Sequence, residues 1–347
     1  MTEDSSAEGT TPTETPPPEG SPGDTVELTV ESRAHGWRLD HYLTRLYPSF
    51  SRAAFQRSIG QDGVQVNGVV AKASRRLHVN DRLSVKLPEE PDSRIQPEDV
   101  PLEIIYEDES IVVINKEAGM IVHPGRGRHN GTLAGALQHH FDTLSDMAGQ
   151  YRPGIVHRLD RDTSGVIVVA RDNQVHHRLS RQFEKREVQK EYRAIVMGEM
   201  NLDAEHIETH VCVDPNKRER MITCEPKDGS RVATTFYEVE ERYRGYTYVR
   251  LHPKTGRTHQ LRVHMQHVGH PMVADKMYRG GGKLTLAALE SSEMKKPLIG
   301  RQALHAFRIG FKHPATDKPV SFEAPLPKDM NRTLDALREY RGIGTSK

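Results

Sequence analysis

The residues best suited to chemistry form one charged connection near the middle of the chain, His157-Arg158-Leu159-Asp160-Arg161. It carries charged and titratable groups of both signs and leads into an apolar run, Val166–Ala170, which predicts a buried strand. Rigid scaffolds display reactive side chains on connections of this kind. Thr163-Ser164-Gly165 predicts a tight turn in which Gly165 adopts a positive φ where the strand begins. Asp160 is therefore a candidate catalytic carboxylate, or else half of a salt bridge with its neighbouring arginines.

The tripeptide Arg-Leu-Asp by itself carries little information, because it occurs twice, at 38–40 and at 158–160. Asp40 stands at the start of a predicted helix, where a carboxylate complements the helix dipole and the free backbone N–H groups. That structural role is sufficient for Asp40. A carboxylate among arginines is more often a salt bridge than a catalyst, so the assignment of Asp160 depends on motifs elsewhere in the chain.

Several further motifs follow Asp160, and together with its own segment they resemble the pseudouridine synthases of the large-ribosomal-subunit type. The segment 154–170 is similar, almost residue for residue, to the first motif of that family. Lys190-Glu191-Tyr192 resembles the family's Lys-x-Tyr motif, and residues 255–264 resemble its third motif. Further similar pieces are Ile114-Asn115-Lys116, Ile121-Val122-His123-Pro124, Gly269-His270-Pro271 and residues 301–306. The resemblance spans about residues 26–330 in the correct order, and this combination is far more specific than any single motif.

The resemblance implies an isomerase that breaks the glycosidic bond of uridine, turns the base and joins C5 to C1′. Asp160 would be the catalytic carboxylate, acting as a nucleophile or assisting a glycal intermediate, and the sequence leaves both routes open. Arg262 would pair with Asp160 and hold its orientation. Leu261 would pack beside the base, and Tyr192 would stack on the flipped uracil, with its hydroxyl helping to remove the C5 proton. Without the motif, Tyr192 would be interpreted as an aromatic residue that closes a core strand.

The same resemblance implies which residues contact RNA. Arg158 is similar to the family arginine that fills the place of the flipped base, and a phosphate contact or a surface ion pair is the alternative. His157, Arg161, Arg257 and His259 are the other RNA-binding residues predicted in this domain. His157 is expected to order the loop rather than to act as an acid or base. Because the reaction involves neither redox chemistry nor hydrolysis, we expect no cofactor and no metal.

The 19 histidines raise the alternative of a metal-dependent hydrolase. His259, His264, His267 and His270 are close in sequence, and His252 precedes them. On a helix, however, only His264 and His267 share a face, and no Asp or Glu completes a ligand set at a suitable spacing. We therefore interpret these residues as RNA-contacting or structural histidines. Activity that survives exhaustive chelation would dismiss the hydrolase hypothesis.

Residues 25–88 form a predicted small α/β domain ahead of the catalytic segment. Ser51 is the predicted cap of a second helix, Arg52 to Ile59, and an Asn67-Gly68 hairpin follows it. Two short helices followed by such a hairpin resemble the small RNA-binding module first defined in a ribosomal protein of the small subunit. The resemblance implies that Arg52 and Arg57 contact RNA phosphates. The alternative is that these arginines only solvate a helix face.

Element patterns predict a mixed, mainly antiparallel α+β fold for the catalytic domain, residues 101–330. Strand patterns outnumber helical patterns and do not alternate with them one for one, which argues against a doubly wound sheet. The strands are predicted at 102–105, 111–114, 166–170, 192–196, 233–239 and 246–251, and the helices at 131–141, 175–184, 258–268 and 330–339. We expect residues 1–24 to be a disordered acidic, proline-rich tail, residues 89–100 a linker and residues 331–347 a C-terminal helix and tail.

Charge and composition are compatible with an RNA partner and exclude several protein classes. Residues 1–24 hold six acidic residues and no Lys or Arg, so the formal net charge of +1 becomes +7 over the rest of the chain. Two cysteines permit neither a disulfide framework nor a cysteine-based zinc site, which fits a reducing cytosol. No apolar run has the length of a membrane span, and the N-terminus lacks the pattern of a signal peptide. We expect a cytoplasmic monomer that does not associate with membranes.

These observations identify the chain as a candidate RNA pseudouridine synthase acting on structured RNA. The expected partner is large-subunit (23S) ribosomal RNA or a pre-ribosomal particle, because an added RNA-binding domain suits a large folded substrate. A transfer-RNA target or dual specificity is the first alternative. A non-catalytic RNA-binding or ribosome-assembly factor is the second; such a protein would be expected to lack Asp160, Tyr192 or Arg262, and all three are present.

Overall fold

The computed structural model describes residues 20–48, 50, 52–88, 95–124, 130–147, 153–278, 281–290 and 297–343. The chain divides into two compact units, residues 1–93 and 94–347. Most of the predicted acidic tail (1–19), half of the predicted linker (89–94), the predicted cap Ser51 and the last four residues lie outside the described residues.

In its described part, the N-terminal unit combines a four-stranded antiparallel sheet with two α-helices. The strands are β1 (Thr25–Thr29), β2 (Val64–Val66), β3 (Val69–Val70) and β4 (Arg82–Lys86), in the order β1-β4-β2-β3. A short 3-10 helix (Ser32–Ala34) precedes α1 (Leu39–Leu46) and α2 (Arg52–Gly60). The predicted hairpin joins β2 to β3, and both Asn67 and Gly68 have the positive φ that its tight turn requires.

The core of this unit explains the spacing of its apolar residues. Leu39 and Leu43 on α1 and Phe55 and Ile59 on α2 are buried and belong to one cluster with Leu83 of the sheet. Each such side chain contributes about 1.5–3 kcal/mol when it is fully buried.

The C-terminal unit is built on a ten-stranded sheet, as the α+β prediction required. Its strands are β5 (Glu103–Glu107), β6 (Ile111–Lys116), β7 (Ser164–Ala170), β8 (Gln189–Met197), β9 (Ala204–Val213), β10 (Met221–Cys224), β11 (Arg231–Tyr243), β12 (Tyr246–Pro253), β15 (Leu304–Lys312) and β16 (Pro319–Glu323). The order is β10-β9-β11-β12-β8-β15-β7-β6-β5, and β16 pairs with β15. Only β15 and β7 pair in parallel among these described strands, so the sheet is mixed and mainly antiparallel.

Among the described residues, five helices and a small hairpin complete this unit. The helices are α3 (Leu133–His140), α4 (Asn173–Glu184), α5 (Gln260–His267), α6 (Leu286–Glu290) and α7 (Lys328–Arg341), and the hairpin pairs β13 (Leu284–Thr285) with β14 (Pro297–Ile299). Helices α3, α4, α5 and α7 overlap the four helical predictions. Residues 95–100 of the predicted linker are attached to this unit, because Ile95 is buried in its core and the backbone N–H of Glu98 donates to the carbonyl of Gly135.

Four strands of the sheet, β9, β10, β15 and β16, were missing from the sequence prediction. Strand β9 reads Ala-Glu-His-Ile-Glu-Thr-His-Val-Cys-Val, and its polar residues mask the alternation that reveals a strand. Strand β15 contains His305, Arg308 and Gly310, yet it lies between β8 and β7 in the centre of the sheet. Pairing with neighbouring strands, rather than local preference, determines both.

Candidate active site

A cavity of about 500 Å³ lies where the connection before β7 meets β8 and the start of α5. It is lined by most of the residues that the sequence singled out in this domain, namely His157, Arg158, Asp160, Tyr192, Arg257, His259, Leu261 and Arg262. They come from positions more than 100 residues apart in the chain. Arg161 does not line the cavity; its guanidinium pairs with the neighbouring carboxylate of Asp162 at 2.8 Å.

The turn after Asp160 fixes the direction of its side chain. The backbone N–H of Thr163 donates to the carbonyl of Asp160 at 3.1 Å, and β7 begins one residue later. Gly165 has a φ of 119°, and a Cβ at this position would lie 2.1 Å from the backbone oxygen of Ala306, its partner on β15. The predicted positive φ is confirmed. Close approach of β15 adds a second reason for glycine, one that the local sequence did not reveal.

A buried lysine supports the same connection from behind, a role that the sequence analysis missed. The side chain of Lys116, at the end of β6, is 1% exposed. Its ammonium donates to the carbonyls of Glu117 (2.7 Å), Met120 (2.9 Å) and Arg161 (3.1 Å). Burial lowers the pKa of Lys116 from its ordinary 10.5 to about 7, while the Asp162 and Asp160 carboxylates act in the opposite direction. Lys116 thus ties the residue after Asp160 to a second loop.

Arg262 on α5 reaches the carboxylate of Asp160. Its Nη1 donates to Oδ2 of Asp160 at 2.9 Å, and the arginine side chain is 8% exposed. The other face of the guanidinium is held by Asp275, which accepts from Nε at 2.7 Å and from Nη2 at 2.9 Å. Asp275 is completely buried. The two carboxylates keep the pKa of Arg262 well above its usual range although burial opposes this, so the guanidinium remains charged.

An aromatic ring and a histidine complete this side of the cavity. The guanidinium carbon of Arg262 lies 4.9 Å from the centre of the Tyr278 ring, a cation–π contact. The Tyr278 hydroxyl accepts from the backbone N–H of Met221 and is 2.9 Å from Nδ1 of His259. The other ring nitrogen of His259, Nε2, lies 3.8 Å from Oδ2 of Asp160. Asp275 and Tyr278 had no assigned role in the sequence analysis, because their contacts depend on the folded geometry.

Tyr192 on β8 forms the apolar side of the cavity with Leu261 and Leu304. Burial, and secondarily the Asp160 carboxylate, raise the pKa of Tyr192 above its usual range. Its hydroxyl is therefore neutral at any physiological pH. The raised pKa disfavours a phenolate base at this position, and a neutral phenol can stack on a base and form hydrogen bonds there.

His157 is part of the wall rather than of the reacting set. Its Nε2 accepts from the backbone N–H of Val168 at 3.0 Å, and its ring stacks on Phe183 with centroids 4.7 Å apart. Burial lowers the pKa of His157 to about 3. The imidazole is therefore neutral, and this geometry suits the ordering role expected for His157.

Two arginines lie at the rim of the cavity. The side chain of Arg158 is exposed. Arg257 uses its Nε to donate to the carbonyl of Val232 at 3.0 Å, which fixes its direction at the rim. Cationic groups so placed can contact the phosphates of an entering nucleic acid.

Two family models match parts of this chain, and curated relatives match most of it. A model described as RNA pseudouridylate synthase matches residues 110–267, and the S4 domain matches residues 37–83. A protein of Neisseria meningitidis serogroup B, named ribosomal large subunit pseudouridine synthase D, is 38% identical over 322 residues, which are 92% of this chain and 84% of that protein. The chain belongs to the RNA pseudouridine synthase family.

Other members of the family are also similar to this chain. The ribosomal large subunit pseudouridine synthase D of Escherichia coli K12 is 36% identical over 314 residues, covering 90% of this chain and 94% of that protein. Among solved structures, human RNA pseudouridylate synthase domain containing 4 has a TM-score of 0.53 at 27% identity and covers 68% of this chain and 93% of its own. The predicted family, isomerase class and fold class are confirmed. The predicted N-terminal RNA-binding module is confirmed as an S4 domain.

In the S4 domain, Asp40 is more than a helix-dipole partner. Its carboxylate is fully buried and accepts hydrogen bonds from Arg38, Arg52 and Gln56. The hydrogen bonds from these three residues hold the pKa of Asp40 well below its usual range, although burial opposes them. Arg52, predicted to bind RNA, therefore has an ion-pair partner within the protein while half of its side chain stays exposed. Arg57 is exposed on the same helix.

The histidines near the third motif are dispersed by the fold. His264 is fully buried between Thr235 and Thr209, and burial lowers its pKa to about 4. His270 contacts the carbonyl of Met197. No three His, Cys, Asp or Glu side chains of the described residues converge as metal ligands. Among the described helices, none is both long and apolar enough to cross a membrane.

Proposed function

We propose that this enzyme converts uridine to pseudouridine in large-subunit ribosomal RNA with Asp160 as its catalytic carboxylate. The observation that carries the proposal is the environment of Asp160, which lines the cavity, is 22% exposed and is held by one arginine at 2.9 Å. A carboxylate fixed from one side and open on the other can reach a bound nucleoside. Arg262 balances the charge of the Asp160 carboxylate and leaves part of that carboxylate open to the cavity.

The isomerisation balances within one nucleoside and needs no co-reactant. The N1–C1′ bond breaks, the base turns in the cavity, C5 bonds to C1′, C5 loses its proton and N1 gains one. Asp160 would act on the sugar, either by attacking C1′ or by removing a C2′ proton to give a glycal. Both routes need an ionised carboxylate, and the fixed charge of Arg262 stabilises that form at no cost of reorganisation.

Tyr192 and Leu261 are proposed to hold the uracil between them. Stacking on an aromatic ring leaves a base free to turn in its plane, as the reaction requires. Because the Tyr192 hydroxyl is neutral, we assign it hydrogen bonding to the turning base rather than removal of the C5 proton as a phenolate.

Arg158 is proposed to stabilise RNA from which the target base has been extruded. Flipping a base out of its stack costs a few kcal/mol, and an exposed guanidinium can stack or pair in the vacated place. Arg257 contacts the flanking backbone in this scheme, and Arg52 and Arg57 contact RNA from the S4 domain. His259 lies beside the substrate in the cavity, and its two ring nitrogens face Tyr278 and Asp160. Arg161 would contribute charge from outside the cavity.

Ribosomal RNA is the favoured substrate because the relatives in Neisseria meningitidis and Escherichia coli are named for the large ribosomal subunit. The S4 domain supports a large folded RNA. We propose that the enzyme acts as a cytoplasmic monomer on 23S RNA or a pre-ribosomal particle. A transfer-RNA substrate is the alternative that a substrate comparison decides.

Asp160→Asn tests the catalytic assignment. The amide has nearly the same shape but can neither attack C1′ nor remove a proton, so pseudouridine formation should disappear while RNA binding persists. Carbodiimide adducts mapped by primer extension on 23S transcripts and transfer RNA report the product. Asp172→Asn is the matched control, because Asp172 caps α4 outside the cavity and Asn caps helices equally well. Modification by the Asp160→Asn enzyme would refute the assignment, and modification of transfer RNA alone would refute the substrate.

A further inference from the structure

Beneath the cavity, one turn contacts both basic side chains that flank Asp160. Asp275 and Tyr278 lie at its two ends, and both residues are fully buried. Asp275 holds Arg262, and Tyr278 holds His259. We propose that this turn, Asp275–Tyr278, is the positioning element of the catalytic carboxylate. The inference rests on the proposed role of Asp160.

Asp275 determines which part of Arg262 is left for Asp160. A guanidinium offers five N–H donors in a rigid fork, and a bidentate carboxylate fixes its plane. Asp275 occupies Nε and Nη2, so Nη1 is the nitrogen directed at Asp160. Asp275 is itself fixed, because its Oδ1 accepts from the backbone N–H groups of Met277 (3.0 Å) and Tyr278 (3.2 Å). Backbone N–H groups of the turn thus hold Asp275, and Asp275 in turn holds Arg262.

A consequence follows for the reactive oxygen of Asp160. Both Arg262 and His259 approach Oδ2, at 2.9 and 3.8 Å. If Arg262 instead presented two nitrogens to Asp160, both carboxylate oxygens would accept a hydrogen bond, which would make each of them less reactive. The bidentate grip of Asp275 prevents that arrangement, and Oδ1 is left as the oxygen that acts on the sugar.

Tyr278 sets the hydrogen position on His259. The hydroxyl of this buried tyrosine accepts from Met221, and its own proton needs an acceptor, which Nδ1 of His259 supplies. Burial raises the pKa of Tyr278 to about 12, so that proton is retained. His259 is then the neutral tautomer with its proton on Nε2, the nitrogen that faces Asp160.

Backbone geometry supports a positioning role for this region. Ala274, directly before Asp275, has a φ of 59°, and His259 has a φ of 54°. Both are in the left-handed region, which costs about 1 kcal/mol or more for a residue with a Cβ. The fold thus maintains an unfavourable backbone conformation at His259 itself and at Ala274, the residue before Asp275.

A double-mutant cycle in the full-length enzyme tests the role of Asp275. Asp275→Asn should lower kcat on a 23S transcript roughly 100-fold, since small errors in position are that costly, with KM changed less than about twofold because the buried residue cannot touch RNA. Arg262→Lys keeps the charge but cannot be gripped at two points. If Asp275 acts through Arg262, the double variant turns over no more slowly than Arg262→Lys. The proposal would be overturned if the kcat losses of the two single variants multiplied in the double variant. It would also be overturned if the fraction of Asp275→Asn enzyme that binds RNA fell as much as kcat, because misfolding would then explain the loss.

Tyr278→Phe provides a second readout that a merely structural role would not move. The groups facing His259 are Asp160, Arg262, Asp275, Arg158 and Tyr278. Without the Tyr278 hydroxyl, Nδ1 of His259 can take a proton, and the ring then becomes a cation next to the Asp160 carboxylate. We therefore expect kcat to fall towards acidic pH, with an ionisation that is absent from the wild type. A uniform loss at all pH values would contradict the tautomer role. An active Asp160→Asn enzyme would instead refute the proposed function, so the two failures are distinguishable.

Discussion

Replacing Lys116 by methionine should separate the stability of the enzyme from the positioning of its catalytic connection. Burial of the ammonium lowers its pKa from 10.5 to about 7, which corresponds to about 5 kcal/mol of unfavourable free energy for the charged form. Removing the lysine also leaves three carbonyls without their donor, at roughly 1–3 kcal/mol each, or about 3–9 kcal/mol in total. The two effects are of similar size and opposite sign. We therefore expect a modest change in the free energy of unfolding near pH 7.

The pH dependence of stability should change more clearly. Between pH 7 and 10.5, the unfolded chain binds a proton at Lys116 that the folded chain has released, so the free energy of unfolding rises with pH. The slope is about 1.4 kcal/mol for each pH unit, which gives about 2.7 kcal/mol between pH 7.5 and 9.5. Lys116→Met lacks this proton, and the contribution of all other groups cancels in the comparison.

Urea denaturation of the wild type and of Lys116→Met at pH 7.5 and 9.5 measures this difference. Lys283→Met, a substitution of an exposed lysine that does not line the cavity, is the control. Activity should fall in Lys116→Met even where the protein is folded, because the carbonyl of Arg161 next to Asp160 loses its anchor. Equal pH slopes in the wild type and Lys116→Met would refute the assignment of a displaced pKa to Lys116. Full activity of the folded variant would refute its positioning role.

Three further predictions concern Gly165 in β7 and two arginines of the S4 domain. Gly165→Ala should lower the free energy of unfolding by roughly 3 kcal/mol or more, because strain at a φ of 119° adds to a 2.1 Å contact with Ala306. The control Gly229→Ala, at an exposed glycine, should lower it by only about 1 kcal/mol. Equal urea midpoints for the two variants would contradict this reasoning. Arg57→Ala should weaken RNA binding and lower the slope of log affinity against log salt by about one, and an unchanged salt series would exclude a phosphate contact. Arg52→Ala should in addition lower the stability of the S4 domain, because it removes a partner of buried Asp40, and thermal unfolding reports that difference.

The sequence predicted the groups at the mouth of the cavity better than those beneath it. Asp160, Tyr192 and Arg262 lie in contiguous motifs, and local patterns placed them on a connection, a strand and a helix. The catalytic assignments themselves stay predictions until variants are measured. Asp275 and Lys116 act through partners 13 and 45 residues away in the chain, and no local spacing indicates such a contact. Likewise, β15 could not be predicted, because its position between β7 and β8 depends on pairing across the chain.

The two Arg-Leu-Asp tripeptides show what separates a structural aspartate from a candidate catalyst. Five hydrogen bonds from three side chains converge on the carboxylate of Asp40, which has no exposed surface. Asp160 is held by one guanidinium nitrogen and keeps 22% of its side chain exposed in the cavity. Both carboxylates are paired with arginine, so pairing alone does not distinguish them. The difference is that Asp275 takes up the remaining donors of Arg262, and a carboxylate that is oriented but not saturated retains an oxygen for chemistry.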